Sequence, residues 1–166
     1  MARVTFKGNP FNTSGSLPGV GSAAPDFSLV ASDLSEKSLA DFAGKKKVLT
    51  INPSYDTGVC QATARKFNES LSDRADVVVL AISNDLPFAQ KRFCEGEGLK
   101  HVVALSAFRS SFAKDYGLLL ADGPLRGLTA RAVLVLDEKN QVLASELVPE
   151  IASEPNFAAV ASALKS

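Results

Sequence analysis

The fold of this chain is decided by the stretch Thr50-Ile-Asn-Pro-Ser-Tyr-Asp-Thr-Gly-Val-Cys60, which continues as Gln-Ala-Thr-Ala-Arg-Lys-Phe-Asn-Glu-Ser-Leu71. An apolar run ends at Pro53, which can neither donate to a sheet ladder nor extend a strand. Asp56 or Thr57 can then cap a helix whose buried face contains Cys60. The stretch therefore predicts a strand, a tight polar turn and a helix with a cysteine in its first turn.

The position of Cys60 decides what its sulfur can do. The first turn of a helix has backbone N–H groups without intrahelical partners, and the macrodipole adds partial positive charge there. A thiolate is stabilised in such a place and can act as a nucleophile. The alternative is that Cys60 is a small apolar residue that packs the helix start, because free cysteine is among the most buried residue types. Position alone leaves both interpretations open.

Composition and charge limit the class of protein. The 166 residues are enough to bury a sizeable core, and no linker or repeat divides them, so we predict a single domain over residues 1–166. Eighteen basic and eighteen acidic side chains cancel, and the dense basic cluster Lys45-Lys46-Lys47 is interpreted as a solvated turn. This balance argues against nucleic acid and against an anionic membrane as partners.

Location and metal binding are constrained by the apolar runs and the cysteines. Residues 1–21 contain no apolar stretch of signal-peptide length, and no later run is long enough to cross a bilayer. We therefore expect a cytoplasmic protein, in which two cysteines are more often catalytic or redox-active than a permanent bridge. Cys60 and Cys94 are far apart in sequence and His101 is the only histidine, so no metal and no cofactor are predicted.

Beyond Cys60 the pattern alternates strands with helices. A β-branched run over residues 77–82 predicts a central strand covered on both faces. Pro87 suits the first turn of the next helix, which contains Cys94 and ends near Gly96 and Gly98. A last turn followed by glycine frays at low cost, so Cys94 would lie on a helix end that can open. The alternative is an ordinary half-buried helix cysteine.

Two hairpins and a final helix complete the order of elements. Residues 4–11 suggest a short N-terminal hairpin with a turn at Gly8-Asn9-Pro10, and residues 131–136 with 142–148 suggest a second hairpin. A last helix is predicted to begin near Glu154 and to run to Leu164. The order predicts an α/β protein of thioredoxin-like fold, with a central mixed β-sheet flanked by helices and an N-terminal β-hairpin.

Several blocks of the chain resemble the peroxiredoxins, and within them the bacterial thiol peroxidases. Pro53-Ser-Tyr-Asp-Thr57-Gly-Val-Cys60 matches the Pro-x-x-x-Thr/Ser-x-x-Cys signature of peroxiredoxins. The resemblance to the subfamily rests on further blocks in register, which are Arg65-Lys-Phe-Asn68, Asp85-Leu-Pro-Phe-Ala-Gln90, Arg92-Phe-Cys94, Ala121-Asp-Gly-Pro-Leu125, Ala130-Arg-Ala132 and Glu154-Pro155. The similarity spans nearly the whole chain and implies an atypical 2-Cys peroxiredoxin.

By residue match, the resemblance implies a role for each cysteine. Cys60 would be the peroxidatic nucleophile, which attacks a peroxide and becomes a sulfenic acid. Cys94 would be the resolving cysteine, which condenses with that sulfenic acid to an intrachain disulfide. The residues themselves agree with the first role, because attack on a peroxide needs a thiolate, an aligned O–O bond and a stabilised leaving oxygen.

Three further residues match the family's site. Thr57 would orient thiolate and substrate through its hydroxyl, Pro53 would shield the site from water, and Arg131 would hold peroxide oxygens beside the thiolate. Each also has a plainer interpretation, with Thr57 as a helix cap and Pro53 as the end of a strand. Arg131 could instead extend from the rim of the sheet into solvent.

The resemblance implies a thiol-dependent peroxidase that reduces hydrogen peroxide and organic (alkyl) hydroperoxides, is recycled by thioredoxin and forms a homodimer. A second hypothesis is a peroxide-responsive redox sensor acting through the same disulfide. A third is a general thiol–disulfide oxidoreductase, against which the missing Cys-x-x-Cys argues. Asn52 and Tyr55 depart from the subfamily pattern, where a large apolar and an aliphatic residue are expected. Both flank Pro53, so we expect them to change the pocket.

Overall fold

The computed structural model describes residues 1–165. A seven-stranded mixed sheet forms the centre of this part of the protein. The strands are β1 (Arg3–Phe6), β2 (Asn9–Asn12), β3 (Leu29–Ala31), β4 (Glu36–Lys37), β5 (Lys46–Ile51), β6 (Val77–Ser83), β7 (Val102–Ser106), β8 (Ala132–Leu136) and β9 (Val142–Leu147). The helices are α1 (Gly58–Ser70), α2 (Pro87–Glu97), α3 (Phe112–Asp115) and α4 (Phe157–Ala163), with a 3-10 turn at Leu39–Phe42.

The strands of the large sheet lie in the order β4-β3-β7-β6-β5-β8-β9. Strands β5, β6 and β7 are parallel to one another, whereas β3 and β8 pair with this group in antiparallel fashion. The predicted central strand, β6, is the middle one of the seven, and its β-branched run is buried as parallel strands require. Because parallel neighbours end at the same edge, the ends of β5 and β6 bring the segments after them together.

Each face of the sheet carries its own apolar cluster because side chains alternate along a strand. Leu49 and Ile51 of β5 point to one face, where they pack with residues of β6, β8 and α3. Val48 of β5 points to the other face, where Ala64 and Phe67 of α1 join Val160 of α4. The burial of both faces fixes α1 against the sheet, and with it the position of Cys60.

The predicted N-terminal hairpin is present as β1 and β2, which form a separate two-stranded sheet. Its turn is at Lys7 and Gly8, both with positive φ (51° and 82°), one residue earlier than the predicted Gly8-Asn9-Pro10. Positive φ at both central residues is the geometry of the tight turns that match strand twist. The hairpin docks through Thr5, whose N–H donates to the Pro149 carbonyl at 2.7 Å and whose carbonyl accepts from Ile151 N–H at 2.8 Å.

Three local predictions differ from the structure. The basic cluster is not a solvated turn throughout, because β5 begins at Lys46 and Lys47 is fully buried in it. The Lys47 ammonium has no hydrogen-bond partner, and burial lowers the pKa of this group.

The last helix begins later than predicted because Asn156 caps it, its side-chain oxygen accepting from Ala159 N–H at 3.1 Å. The short helix that the sequence predicts from Ser110 to Tyr116 spans only Phe112–Asp115.

Within the described range, none of the helices has both the length and the apolar character that spanning a bilayer requires.

Candidate active site

The start of α1 places Cys60 as predicted in the first helical turn. Thr57 is the N-cap residue, with extended backbone angles (φ −106°, ψ 143°). Its hydroxyl makes no capping bond and instead donates to the Ser54 carbonyl at 3.0 Å, which closes the turn before the helix. Cys60 is fully buried and its sulfur is a free thiol. The helix N-terminus therefore presents its unpaired N–H groups and partial positive charge next to this sulfur.

A pocket of about 140 Å³ opens beside this turn. Three of the residues predicted for the site, Pro53, Thr57 and Arg131, line it together with Gly58 and Val59, the residues just before Cys60. The remaining lining is mostly apolar and comes from the hairpin and two loops, namely Phe6, Ser54, Leu125, Leu128, Ile151 and Ala152. Cys60, the residue after Val59 along the chain, is fully buried and is not part of the lining.

Arg131 is held inside the protein at the edge of this pocket. The residue is 2% exposed, so its guanidinium does not extend from the sheet rim into solvent. Its Nε donates to the Ile151 carbonyl at 2.7 Å, and one terminal nitrogen donates to Asn52 Oδ1 at 3.0 Å. Among the described residues 1–165, no carboxylate forms an ion pair with Arg131. A buried cation whose partners are neutral favours a negative charge nearby.

Asn52 accepts a hydrogen bond from the Arg131 guanidinium and is itself fixed by three further hydrogen bonds. Its Oδ1 accepts from Arg131, while its Nδ2 donates to the Thr50 carbonyl at 3.3 Å. Its backbone is fixed as well, since its N–H donates to Ile82 and its carbonyl accepts from the Thr129 hydroxyl at 2.8 Å. An apolar residue at this position could not accept a hydrogen bond. Asn52, which departs from the subfamily pattern and was expected to change the pocket, thus supplies a polar partner for Arg131.

Asp85 fixes the turn between Pro53 and Thr57, a function that the sequence analysis did not assign. Its carboxylate accepts from the Ser54 hydroxyl at 2.9 Å, from Tyr55 N–H at 2.8 Å and from the Ser83 hydroxyl at 2.7 Å. One sequence signal could have indicated this contact. Asp85 lies two residues after β6, and the ends of adjacent parallel strands such as β5 and β6 meet at the same edge of the sheet. Gln90 extends this network into α2 by donating to the same Ser83 hydroxyl at 3.0 Å.

Cys94 lies apart from the pocket, near the end of α2. It is half-buried and free, and its side chain packs against the same apolar cluster as α1. Burial, with a smaller contribution from the charge of Glu95, raises the pKa of the Cys94 thiol from 9.0 to about 11. The helix ends at Gly98 in the left-handed conformation (φ 65°). The resting Cys94 is therefore a protonated thiol on the last turn of a helix.

Tyr55 is the second departure from the subfamily pattern, and its ring is buried between the cysteine-bearing segments. It stacks on Phe93, the residue before Cys94, with ring centroids 4.8 Å apart and an angle of 22° between the planes. Its hydroxyl has no hydrogen-bond partner. Burial raises the pKa of this hydroxyl well above its usual value, and the charges of Cys94 and then Cys60 raise it further. Tyr55 thus lies within electrostatic reach of both sulfurs.

No group of three or more histidine, cysteine, aspartate or glutamate side chains in residues 1–165 is placed to hold a metal ion.

Comparison with known proteins identifies the class to which this arrangement belongs. A family model described as Redoxin matches residues 19–161. The chain is 51% identical to a thiol peroxidase of Mycobacterium bovis over 164 residues, which is 99% of each chain. It superposes on a crystal structure of a peroxiredoxin-like protein from Aquifex aeolicus with a TM-score of 0.94 and 40% identity, covering 99% of this chain and 96% of that one.

A further solved structure, the thiol peroxidase from Chromobacterium violaceum, matches with a TM-score of 0.89 and 26% identity over 98% of this chain and 95% of that one. The family model and the sheet together define a redoxin of thioredoxin-like fold. Within that family, the chain belongs to the thiol peroxidases, which are peroxiredoxin-type oxidoreductases. The fold and the family predicted from the blocks around Cys60 are confirmed.

Proposed function

We propose that this thiol peroxidase reduces hydrogen peroxide and alkyl hydroperoxides with Cys60 as the nucleophile. The observation that carries the proposal is Arg131, a buried guanidinium with neutral partners at the edge of the pocket beside Cys60. A cation in that setting is best satisfied by an anion, and the Cys60 thiolate and the oxygens of a peroxide are the anionic or electron-rich groups the reaction brings there.

The first step is attack of the Cys60 thiolate on one oxygen of the peroxide. The S–O bond forms, the O–O bond breaks, and the departing oxygen leaves as hydroxide or alkoxide and takes up a proton. Arg131 and the N–H groups of the first turn of α1 would stabilise the charge on that oxygen. The Thr57 hydroxyl donates its proton to the Ser54 carbonyl, so the lone pairs of its oxygen are free to accept a hydrogen bond from the peroxide O–H. Pro53 would exclude water.

The lining of the pocket supports organic hydroperoxides as substrates. Phe6, Leu125, Leu128 and Ile151 give the pocket an apolar lining, to which Arg131 adds a cation. An alkyl chain would be bound by the first and the hydroperoxide group by the second. Hydrogen peroxide lacks the alkyl chain, so it would gain nothing from the apolar wall, and alkyl hydroperoxides would be the better substrates.

Resolution would follow by condensation of the Cys60 sulfenic acid with Cys94. The two halves of α2 support this step differently. Gln90 anchors the first half through bonds to Ser83 and to the Leu105 carbonyl, both 3.0 Å. Residues 94–98 form the last turn, which ends at Gly98 and contains Gly96. We infer that this turn unwinds to bring Cys94 to Cys60, after which thioredoxin reduces the disulfide.

Exposed apolar side chains support assembly as a homodimer. Leu86 and Phe88 at the start of α2 are 51% and 67% exposed, and Phe108, just after the neighbouring strand β7, is 44% exposed. Apolar residues clustered on one edge of a sheet commonly mark an interface. We propose that this edge pairs two copies of a single-domain cytoplasmic protein.

One set of measurements tests the proposal. Cys60→Ser is expected to lose hydroperoxide consumption, whereas Cys94→Ser should keep a single turnover and yield a sulfenic acid that can be trapped and weighed by mass spectrometry. The wild-type protein with one equivalent of peroxide should form the 60–94 disulfide, and thioredoxin should reverse it. Full activity of Cys60→Ser would refute the proposal. Slow oxidation, no cycling with thioredoxin and oxidation-dependent capture of a partner would favour a redox sensor.

A further inference from the structure

The two tyrosines of this chain differ in one respect that bears on catalysis. Tyr116 is buried and its hydroxyl donates to the Pro25 carbonyl at 2.7 Å. Tyr55 is also buried, at 2% exposure, but its hydroxyl has no hydrogen-bond partner. Buried polar groups are nearly always paired, because an unpaired one loses its hydration without compensation. The Tyr55 hydroxyl is therefore a donor with an unused proton inside the protein.

The surroundings of Tyr55 indicate which acceptor could use that proton. Its backbone is fixed on the Cys60 side, since its N–H donates to Asp85 and its carbonyl accepts from Gln61 of α1 at 3.3 Å. Its ring is fixed on the other side by the stack with Phe93 of α2. The charged or ionisable groups that act on its hydroxyl are Cys94, Cys60 and Asp85, in decreasing order. Asp85 accepts from three other donors and not from this hydroxyl, and the two sulfurs are the other candidate acceptors.

We propose that the Tyr55 hydroxyl acts in the resolving step by donating a hydrogen bond to the thiolate of Cys94 as that thiolate forms. The inference rests on the proposed function and adds a residue to it. In the resting protein the acceptor is absent because Cys94 is a protonated thiol, and a neutral thiol accepts hydrogen bonds only weakly. When the last turn of α2 opens toward Cys60, the thiolate replaces the thiol and the hydroxyl gains its partner.

The bonds and protons of the step balance without any other reactant. Cys94 loses its thiol proton, and its thiolate attacks the sulfur of the Cys60 sulfenic acid. The S–S bond forms as the S–O bond breaks, and the departing hydroxide takes up one proton to become water. Tyr55 keeps its proton throughout, because its raised pKa holds the phenol neutral. Its contribution is to stabilise the negative charge on the Cys94 sulfur before and during attack.

The step needs such a contribution because the Cys94 thiolate is scarce at neutral pH. Burial and Glu95 raise the pKa of this thiol to about 11, so few molecules hold a thiolate there while α2 is closed. A hydrogen bond to the charged form of an acid favours that form. The Tyr55 hydroxyl would thus increase the fraction of molecules that can resolve, and would shorten the time during which Cys60 remains a sulfenic acid.

The test is Tyr55→Phe, which removes the hydroxyl and keeps the ring that stacks on Phe93. Rapid mixing with one equivalent of cumene hydroperoxide, followed by acid quench and mass spectrometry, separates sulfenic acid formation at Cys60 from disulfide formation. We expect the first rate to be unchanged and the second to fall about tenfold, the effect of losing one charge-assisted hydrogen bond. The pH midpoint of the second rate should rise by about one unit. More sulfinic acid should accumulate at excess peroxide.

Tyr116→Phe is the matched control, since it makes the same chemical change at a hydroxyl that has a partner far from both cysteines. It should lower the melting temperature and leave both rates unchanged. Tyr55→Phe should melt at or above the wild-type temperature, because it removes an unpaired buried hydroxyl.

A wild-type rate and pH midpoint of disulfide formation in Tyr55→Phe would overturn the inference while leaving the proposed function intact. Equal slowing of both rates together with a lower melting temperature would also overturn it, because that is the result of a structural role. Failure of the wild-type protein to form either the sulfenic acid or the disulfide would instead refute the proposed function.

Discussion

Cys60 and Cys94 lie at opposite kinds of helix end. Cys60 is in the first turn of α1, where the macrodipole and the unpaired N–H groups favour negative charge, and the buried Arg131 is part of the same region. Cys94 is in the last turn of α2, where the dipole has the opposite sign and Glu95 is the adjacent residue. The same side chain is thus placed once where a thiolate is favoured and once where a thiol is favoured.

The two ends also differ in how firmly they are held. The turn before α1 is fixed by Asp85 and by the Thr57 hydroxyl, and Cys60 and Ala64 of α1 are buried. The end of α2 contains two glycines. An exposed ion pair between Glu97 of α2 and Arg65 of α1, 3.0 Å apart, links this end to α1. The proposed nucleophile is thus held by more side-chain hydrogen bonds than the proposed resolving cysteine, as expected if the end of α2 has to open for resolution.

The largest expected effect comes from removing the charge at the rigid end. Arg131→Met should lower the rate of peroxide reduction by about 10²- to 10³-fold, the usual loss when a donor to a developing oxygen charge is removed. Stopped-flow measurement of sulfenic acid formation with cumene hydroperoxide gives this rate. Arg126→Met is the control, since Arg126 is exposed in the loop next to the pocket. A loss of less than threefold in Arg131→Met would show that the thiolate is favoured without the guanidinium.

A smaller loss is expected when the arginine stays but its support is removed. Asn52→Leu keeps the number and branching of the side-chain heavy atoms but cannot accept from Arg131, so the guanidinium should be less well placed and the peroxide rate should fall about tenfold. Asn68→Leu is the control, because Asn68 accepts from His101 N–H at 2.9 Å away from the site. That variant should lose stability and keep its peroxide rate. Unchanged peroxide kinetics in Asn52→Leu would remove Asn52 from the site.

The mobile end is probed by the pH dependence of Cys94. In Cys60→Ser, the rate of Cys94 alkylation by iodoacetamide should rise with pH to a midpoint near 11 in the native protein and near 9.0 in urea. The raised pKa means that the native protein holds this proton more tightly than the unfolded chain does. Its contribution to stability is therefore complete below pH 9.0 and is lost as pH rises toward 11. A native midpoint at or below 9.0 would place Cys94 in an open segment.

The smallest effects are expected from the two glycines, and they have opposite signs. Gly98→Ala puts a side chain at a left-handed residue, which should destabilise the end of α2 by about 1 kcal/mol. Gly96→Ala lies within the helix with open space around its Cα, so it should stabilise the helix by about 0.5 to 1 kcal/mol. Urea denaturation measures both changes.

If unwinding limits resolution, disulfide formation should become a few-fold faster in Gly98→Ala and a few-fold slower in Gly96→Ala. Rapid-quench mass spectrometry checks the two rates. Identical rates in the two variants would mean that α2 does not need to open for resolution.

The sequence predicted those parts of the site that depend on neighbouring residues. The strand, the turn at Pro53 and the helix with Cys60 in its first turn follow from local pattern and capping, and the structure confirms them. The contact between Asn52 and Arg131 could not be predicted in this way, because the residues are 79 positions apart. Their meeting depends on the antiparallel register of β5 and β8, which local pattern does not give. The stack of Tyr55 on Phe93 depends in the same way on the packing of α2.

The N-terminal hairpin has a consequence for how this enzyme could change over time. Phe6 lies in the wall of the pocket, and β1 is joined to the segment after β9 by the backbone bonds of Thr5 to Pro149 and Ile151. Val4 and Phe11 of the hairpin are buried in the core, and the Asn12 side chain donates to Asp122 at 2.8 Å, so these positions are constrained. Phe6 is only partly buried, so its size can change and alter the pocket while the backbone bonds of Thr5 remain. If the proposed function holds, selection for a new hydroperoxide can therefore act on Phe6 while Cys60 and Arg131 stay in place.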